Sequence, residues 1–320
     1  MTGSVDGSFS APASERPPMP DTGATVSVVI PTHQRAEYLG DAIRSVLAQT
    51  SPVSEIVIVS DVPDPAAAEV CTAIASDAAI PVRYVERPAG RPGASGSRNH
   101  GAKLTTGDLI GFLDDDDVWE VEFVERSRAA LPRSGADLAV TWIVEFSDRH
   151  EKNGHSIVDG LRADQVISVN PGITGSNFLV RRQAFWAVDG FDPEMPVRND
   201  TDFFARFLRA GSTYTAVPER LLRQRKHRSG QLTAVNEARA RGTELYMAKH
   251  RAYLSAEDRR VLRQLVHRIR SRCSPNPVAR AYHLAWVAAL YGPRGLVRKL
   301  RRGRQNAAYE VAGFTEASSS

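Results

Sequence analysis

Four short β-branched runs, VSVVI at 26–30, IVIV at 56–59, VRYV at 82–85 and LIGFL at 109–113, largely continuous in apolar character, recur along the first third of the chain. Strands covered on both faces read this way, whereas a strand with one wet face alternates apolar and polar. Between the first two runs, Leu39, Ala42, Ile43, Val46 and Leu47 keep the i, i+3, i+4 spacing of an amphipathic helix. The resulting β-α-β-α-β-α-β order predicts right-handed crossovers and an α/β fold: a Rossmann-like, mainly parallel central sheet with helices on both faces.

Ligands of such sheets bind beyond the carboxyl ends of the strands. Those ends carry Pro31-Thr32-His33-Gln34-Arg35 after the first run, Ser60-Asp61 after the second and Asp114-Asp115-Asp116-Asp117 after the fourth. Loops at one edge of a sheet converge, so these distant polar groups are expected to line one cleft. Beyond it the pattern is less regular. A strand at 138–144, a polar stretch at 145–171, an apolar run at 177–180 and a helix from about Thr201 to Ala210, closed by Gly211, read as the continuation of one domain over 25–235. The Pro, Ser, Ala and Gly-rich leader over 1–24 is expected to be disordered. A helical, basic C-terminal extension over 236–305 and a mobile tail over 306–320 complete the division.

The net charge of +4 hides an asymmetry: residues 220–304 hold 22 Lys/Arg against 4 Asp/Glu. An acidic body joined to a basic region suits an anionic partner. No run of 18 uncharged apolar residues occurs, and the N-terminus has neither a basic start nor an apolar stretch, so neither a spanning helix nor a secretory signal is expected. The expected location is cytoplasmic. Cys71 and Cys273 are the only cysteines, and their separation suits two reduced thiols.

Four consecutive aspartates after an apolar strand repel one another and raise one another's pKa unless something compensates them. A divalent cation, Mn²⁺ or Mg²⁺, would do so with one or two carboxylates and diphosphate oxygens. The plain alternative is an acidic first turn of a helix beginning near Val118. GRPGASGSRN at 90–99 reads as a small-residue loop entering a helix near Ser97, with Arg91 and Arg98 beside backbone N–H groups that could cradle a diphosphate. It matches neither the dinucleotide nor the P-loop signature. Asn199-Asp200-Thr201-Asp202 opens a helix, where capping explains one acid and a general base is the second use. His227 stands in the basic stretch RQRKHR, solvated or completing a metal shell.

Taken together, VSVVIPTHQRAEYLGDAIRSVLAQT, EIVIVSD, GSRNHGAKLTTGDLIGFLDDDDVWE, FLVRRQAFWAVDGFDPE and NDTDFFARFLRAG, in that order, resemble the family 2 glycosyltransferases of the GT-A fold over roughly residues 25–235. The resemblance implies donor binding by Pro31, Thr32, Arg35, Asp61, Arg98, Asp114 and Asp115, with Asp61 accepting from the base N–H of a uridine or thymidine diphosphate sugar. It makes Asp114-Asp115-Asp116 the DXD-type motif, Asp116 and His227 the metal ligands, and Asp200 the catalytic base of an inverting single displacement onto an acceptor hydroxyl on a glycan, lipid-linked glycan or small molecule. Two departures stand out. Ser60 replaces the first of two acids common after the second strand, and Asn199 replaces the glutamate of the usual Glu-Asp pair, leaving Asp202 as the fallback base. Other nucleotide-sugar-handling enzymes and a non-catalytic binding protein are the rival classes. A nucleotidyltransferase would want a Gly-rich basic loop after strand one, where PTHQR stands.

The apolar, aromatic stretch VARAYHLAWVAALY at 278–291 precedes six Lys/Arg between 294 and 304. It could lie on an anionic membrane, at the inner face, as a peripheral contact, or pack on the catalytic domain with a solvated basic end. No nucleic-acid-binding module accompanies the charge, so no nucleic-acid partner is expected.

Overall fold

The structure, a computed structural model, describes residues 23–88, 90, 92–226 and 235–290. Residues 1–22, Arg91, His227, residues 228–234 and everything after residue 290 lie outside the described residues.

Strands β1 (Val26–Thr32), β2 (Glu55–Ser60), β3 (Val82–Glu86) and β4 (Leu109–Phe112) pair in parallel in the order β3-β2-β1-β4. Helices α1 (Ala36–Leu47), α2 (Pro65–Ala75) and α3 (Ala94–Leu104) make the crossovers, as the runs predict. Every residue of β1, β2 and β4 is buried. β3 departs from the expectation: it is the sheet edge, and its residues are half-buried or exposed.

Past β4 the sheet continues with changed directions. β8 (Phe178–Arg181) lies antiparallel between β4 and β6 (Leu138–Phe146), β9 (Tyr214–Arg225) runs parallel to β6, and the two-residue β5 (Val118–Trp119) pairs antiparallel with β9. β7 (Glu151–Asn153) pairs with β6 off the main path. The second half is therefore one sheet with the first.

The helix expected near Val118 is not there. Val118 and Trp119 are strand, and α4 begins only at Phe123 and ends at Ser134. Trp119 explains the shift, since its ring is buried, stacks on Phe123 with centroids 4.0 Å apart, and donates Nε1–H to the Ser176 carbonyl at 2.7 Å. The acids at 114–117 thus form a turn between two strands, with Asp117 N–H donating to the Asp114 carbonyl at 3.1 Å, and the helix-cap reading fails.

The sheet separates two apolar layers. One joins α1, over Val28 and Ile30, to α4, over Ala139, Ile143, Leu179 and Leu222. The other is a nest of phenylalanines in which Phe112, Phe178, Phe185, Phe191 and Phe203 meet at centroid distances of 5.1–6.4 Å, beneath α3 and α7 (Asn199–Arg209). Edge and tilted pairs of this kind add to the area they bury. α8 (Glu237–Lys249) and α9 (Ala256–Cys273) follow β9. Tyr246, Leu254 and Leu262 enter the same apolar layer, so the beginning of the basic C-terminal region shares the core of the sheet domain. Among the described residues no helix is long and apolar enough to cross a membrane. Cys71 and Cys273 are free thiols, and burial, with Asp64 beside it, pushes the Cys71 thiol up to about 12.

Candidate active site

The carboxyl ends of β1, β2 and β4 bring Thr32, Asp61 and the acidic turn to one edge. Thr32 Oγ1 donates to Asp115 Oδ2 at 2.8 Å and His33 N–H to the same oxygen at 3.2 Å. Asp61 holds His33 Nδ1 through Oδ1 at 2.5 Å and accepts from Gly93 N–H through Oδ2 at 2.7 Å. Gly93 precedes α3 with φ +142°, a backbone region open to glycine. The loop before α3 is thereby tied to the end of β2.

The compensation of the four aspartates comes from arginines. Arg35 Nη1 donates to Asp116 Oδ2 at 2.7 Å and lies 3.5 Å from Asp115 Oδ1. Arg98 Nη2 binds Asp114 Oδ1. Arg225, at the end of β9, gives its backbone N–H to Asp117 Oδ1 at 3.0 Å and its Nε–H to the Asp116 carbonyl at 3.1 Å. Even so, burial and then the charge of Asp116 push Asp115 up to about 7, and burial, Asp116 and Asp114 push Asp117 well above the carboxylate range. The like-charge repulsion expected from the sequence thus contributes to the raised Asp115 and Asp117 carboxyls, while guanidiniums stand against Asp114 and Asp116. Among the described residues no three His, Cys, Asp or Glu side chains converge as a metal cage. A hard cation shared with diphosphate oxygens needs only one or two protein carboxylates, and Asp114, whose side chain is one-third exposed, and Asp116 fit that donor set.

Arg98, on α3, meets the acidic turn. Its side chain is 4% exposed, its Cζ lies 5.0 Å from the Phe191 ring centroid, and its Nε and Nη1 are buried with no hydrogen-bond partner among the described residues. Its charge also reaches Asp200. Burial raises the Asp200 carboxyl, against the Thr201 N–H at 2.7 Å and the charges of Arg98 and Arg198. Asp200 keeps part of its surface open, and Asn170 Nδ2 stands 3.4 Å from its Oδ2.

Asp202, the fallback base, stands in a different setting from Asp200. It is fully buried, and its carboxylate is enclosed by Arg206 at 2.8 Å, Lys249 at 2.6 Å and His250 at 2.8 Å. Burial opposes ionisation, yet the His250 hydrogen bond, Arg206 and Lys249 hold the carboxyl well below its usual range. It is a structural anion joining α7 to α8. Asn199 takes the place of the usual glutamate differently. Its Nδ2 donates to Ser95 Oγ at 3.1 Å and its Oδ1 accepts the Asp200 N–H at 2.8 Å, tying α7 to α3.

Sequence reasoning missed the segment 170–177, NPGITGSN. Ser176 Oγ accepts the Asp114 N–H at 3.0 Å, and Asn177 Nδ2 donates to the Thr141 and Gly172 carbonyls at 2.7 and 2.8 Å. It also missed Asn99, which clamps the turn before α7 by donating to the Phe191 carbonyl at 2.6 Å and accepting its N–H at 3.0 Å. The dense turn residues of 170–177 were the available signal.

Residues 27–189 match the family described as glycosyl transferase family 2. An uncharacterized glycosyltransferase of Nostoc is 37% identical over 101 residues, 32% of this chain and 31% of that protein. One of Rickettsia typhi is 27% identical over 197 residues, 59% of this chain and 60% of that protein. The matched regions thus span less than two-thirds of these relatives. In structure, TarS of S. aureus (residues 1–349, in complex with UDP-GlcNAc) superposes with a TM-score of 0.62 and 15% identity over 90% of this chain and 88% of that one, a likeness of fold. With the family's match covering half of its length, the chain belongs to glycosyl transferase family 2.

Proposed function

We propose that the protein is an inverting glycosyltransferase that moves a sugar from a nucleoside diphosphate donor to an acceptor hydroxyl. The observation that carries this reading is Arg98, buried and bound to Asp114 on the donor side, with its charge also acting on Asp200 at the start of α7. Transfer needs stabilisation of the departing diphosphate on one face of the sugar and a base on the other. A buried guanidinium with two unpartnered nitrogens supplies the first. Asp200, with its proton affinity raised by burial, supplies the second.

Asp200 would take the proton of the acceptor hydroxyl as its oxygen attacks the anomeric carbon and the diphosphate leaves from the opposite side. One base and one displacement invert that centre. Thr32 and Pro31 would lie under the nucleotide, and Asp61 would accept an N3–H of uracil or thymine. The complex of TarS with UDP-GlcNAc favours a uridine nucleotide. Asp114 and Asp116 would hold a Mn²⁺ or Mg²⁺ ion, which when bound adds Lewis-acid stabilisation of the leaving diphosphate. His227 is the further ligand suggested by its place in the chain.

Thermal melting against UDP, dTDP, GDP and ADP, with Mn²⁺, with Mg²⁺ and with EDTA, tests the donor cleft, because a ligand of the folded state alone raises the melting temperature. Stabilisation by UDP or dTDP that EDTA reverses is the expected result. No shift with any nucleotide in the presence of metal would overturn the reading.

A further inference from the structure

Among the described residues, the helix over 277–290 lies on α9 by one side only. His283 Nδ1 meets His267 Nδ1 at 2.8 Å, Trp286 stacks on His267 with centroids 5.4 Å apart, and Arg260 Nη1 donates to the Leu290 carbonyl at 2.8 Å. The outer side carries Val278, Ala281, Leu284, Ala285, Ala288 and Ala289, all exposed, with Val278 at 76% and Leu284 at 56%. Tyr282 at 56% and Trp286 at 44% form its rim. At 100° per residue these positions form one continuous apolar face, broken only at its border by Arg280. Soluble chains rarely leave such a face in water without a use for it.

The charge around this face selects its occupant. Arg263, Arg272 and Arg280 are exposed on the two helices, beside Arg260, which pairs with Glu257, within a region holding 22 Lys/Arg against 4 Asp/Glu. An apolar face with an aromatic rim, bordered by arginines, matches the layered chemistry of an anionic bilayer surface: acyl chains, then the headgroup boundary, then negative charge.

We propose that the 277–290 helix is a peripheral docking element that lies in the plane of an anionic lipid surface, with Val278 and Leu284 entering the acyl boundary and the flanking arginines on the headgroups. The docking argument uses no residue of the donor site and does not depend on the transferase reading. It would hold the enzyme where an acceptor anchored in the membrane is presented.

Co-sedimentation of the full chain with vesicles of phosphatidylglycerol and phosphatidylcholine, beside vesicles of phosphatidylcholine alone, tests the proposal. Binding to the anionic vesicles only, weakened as NaCl rises to about 0.5 M, is expected. The double variant Val278→Glu, Leu284→Glu should lose about ten-fold or more in partitioning with an unchanged melting temperature. Quenching of Trp286 by brominated lipid, read as the difference between the unaltered protein and Trp286→Phe, gives a second measure that does not rely on that variant folding. No sedimentation with anionic vesicles at low salt would overturn the proposal, as would equal binding by the double variant. A dimer in solution that the double variant splits, without vesicle binding, would assign the face to a second copy of the chain instead.

Discussion

Gly175 and Arg98 occupy adjoining volumes so closely that a Cβ at position 175 would collide with Nη2, Cζ and Nε of the guanidinium. The arginine reaches Asp114 only because residue 175 has no side chain. Gly175→Ala is therefore expected to leave the fold in place, displace Arg98 and weaken UDP binding in the presence of Mn²⁺ by about ten-fold. Calorimetric titration measures it, with Arg98→Lys as the companion variant that keeps the charge and loses the planar fork. Wild-type affinity in both variants would remove Arg98 from the donor site.

Asp200→Asn should retain UDP affinity and lose at least about 100-fold in kcat, the scale of general-base catalysis. Because burial raises the carboxyl and the base acts deprotonated, kcat should rise with pH through a pKa above the usual carboxylate range. A pH profile flat down to about 4, or unchanged turnover in the variant, would rule out Asp200 as the base.

The Asp115 carboxyl, pushed up to about 7, binds its proton more tightly folded than unfolded. Its contribution to stability accordingly falls as pH rises from about 4, the unfolded value, to about 7, and stays low above that. Asp115→Asn removes the charge while leaving an acceptor for Thr32 and His33, and should raise the melting temperature at pH 8 by roughly 3 °C or more with little effect at pH 4. Melting curves at the two pH values decide it. A destabilised variant at pH 8 would mean that the ionised carboxylate is required by its neighbours.

Asp202 titrates in the opposite sense. Its folded carboxyl lies below the unfolded value, so its stabilisation is complete above about pH 4 and drains away as pH falls further. Asp202→Asn leaves Arg206, Lys249 and His250 around an uncharged amide and should cost about 3–5 kcal/mol in denaturant unfolding at pH 7. A stable variant with normal melting but no turnover would return Asp202 to the chemistry.

Asp116→Ala should abolish the difference that Mn²⁺ makes to the UDP-induced melting shift while keeping Arg35 beside Asp115. Persistence of that difference would place the ion elsewhere.

The first half of the fold is legible because β1, β2 and β4 are buried on both faces, and a two-sided strand writes itself as an apolar run. The acidic turn, Thr32 and Asp61 follow from the rule that strand ends converge. The second half is harder because its determinants are pairings over long separations. A two-residue strand such as β5 has no period to detect, and Trp119 reads equally well as the start of a helix. Asp200 and Asp202 look alike in sequence, two positions apart at a helix start. What separates them is Lys249 and His250, contributed by the end of a helix 47 and 48 residues after Asp202. Asn170, Gly175 and Ser176 carry no motif, and their role exists only once the 170–177 segment has folded under the turn.

Strand β9 gives the protein an order of completion. The acidic turn comes early in the chain, yet the backbone N–H that seats Asp117 belongs to Arg225, 108 residues later, and the strand that anchors Val118 and Trp119 is β9 as well. During synthesis, four aspartates therefore emerge and wait without their closing strand. A nascent or truncated chain ending before residue 225 would carry every donor-side motif through the acidic turn and still leave that turn loose, so that competence arrives with the last strand of the sheet and not with the motifs that announce it.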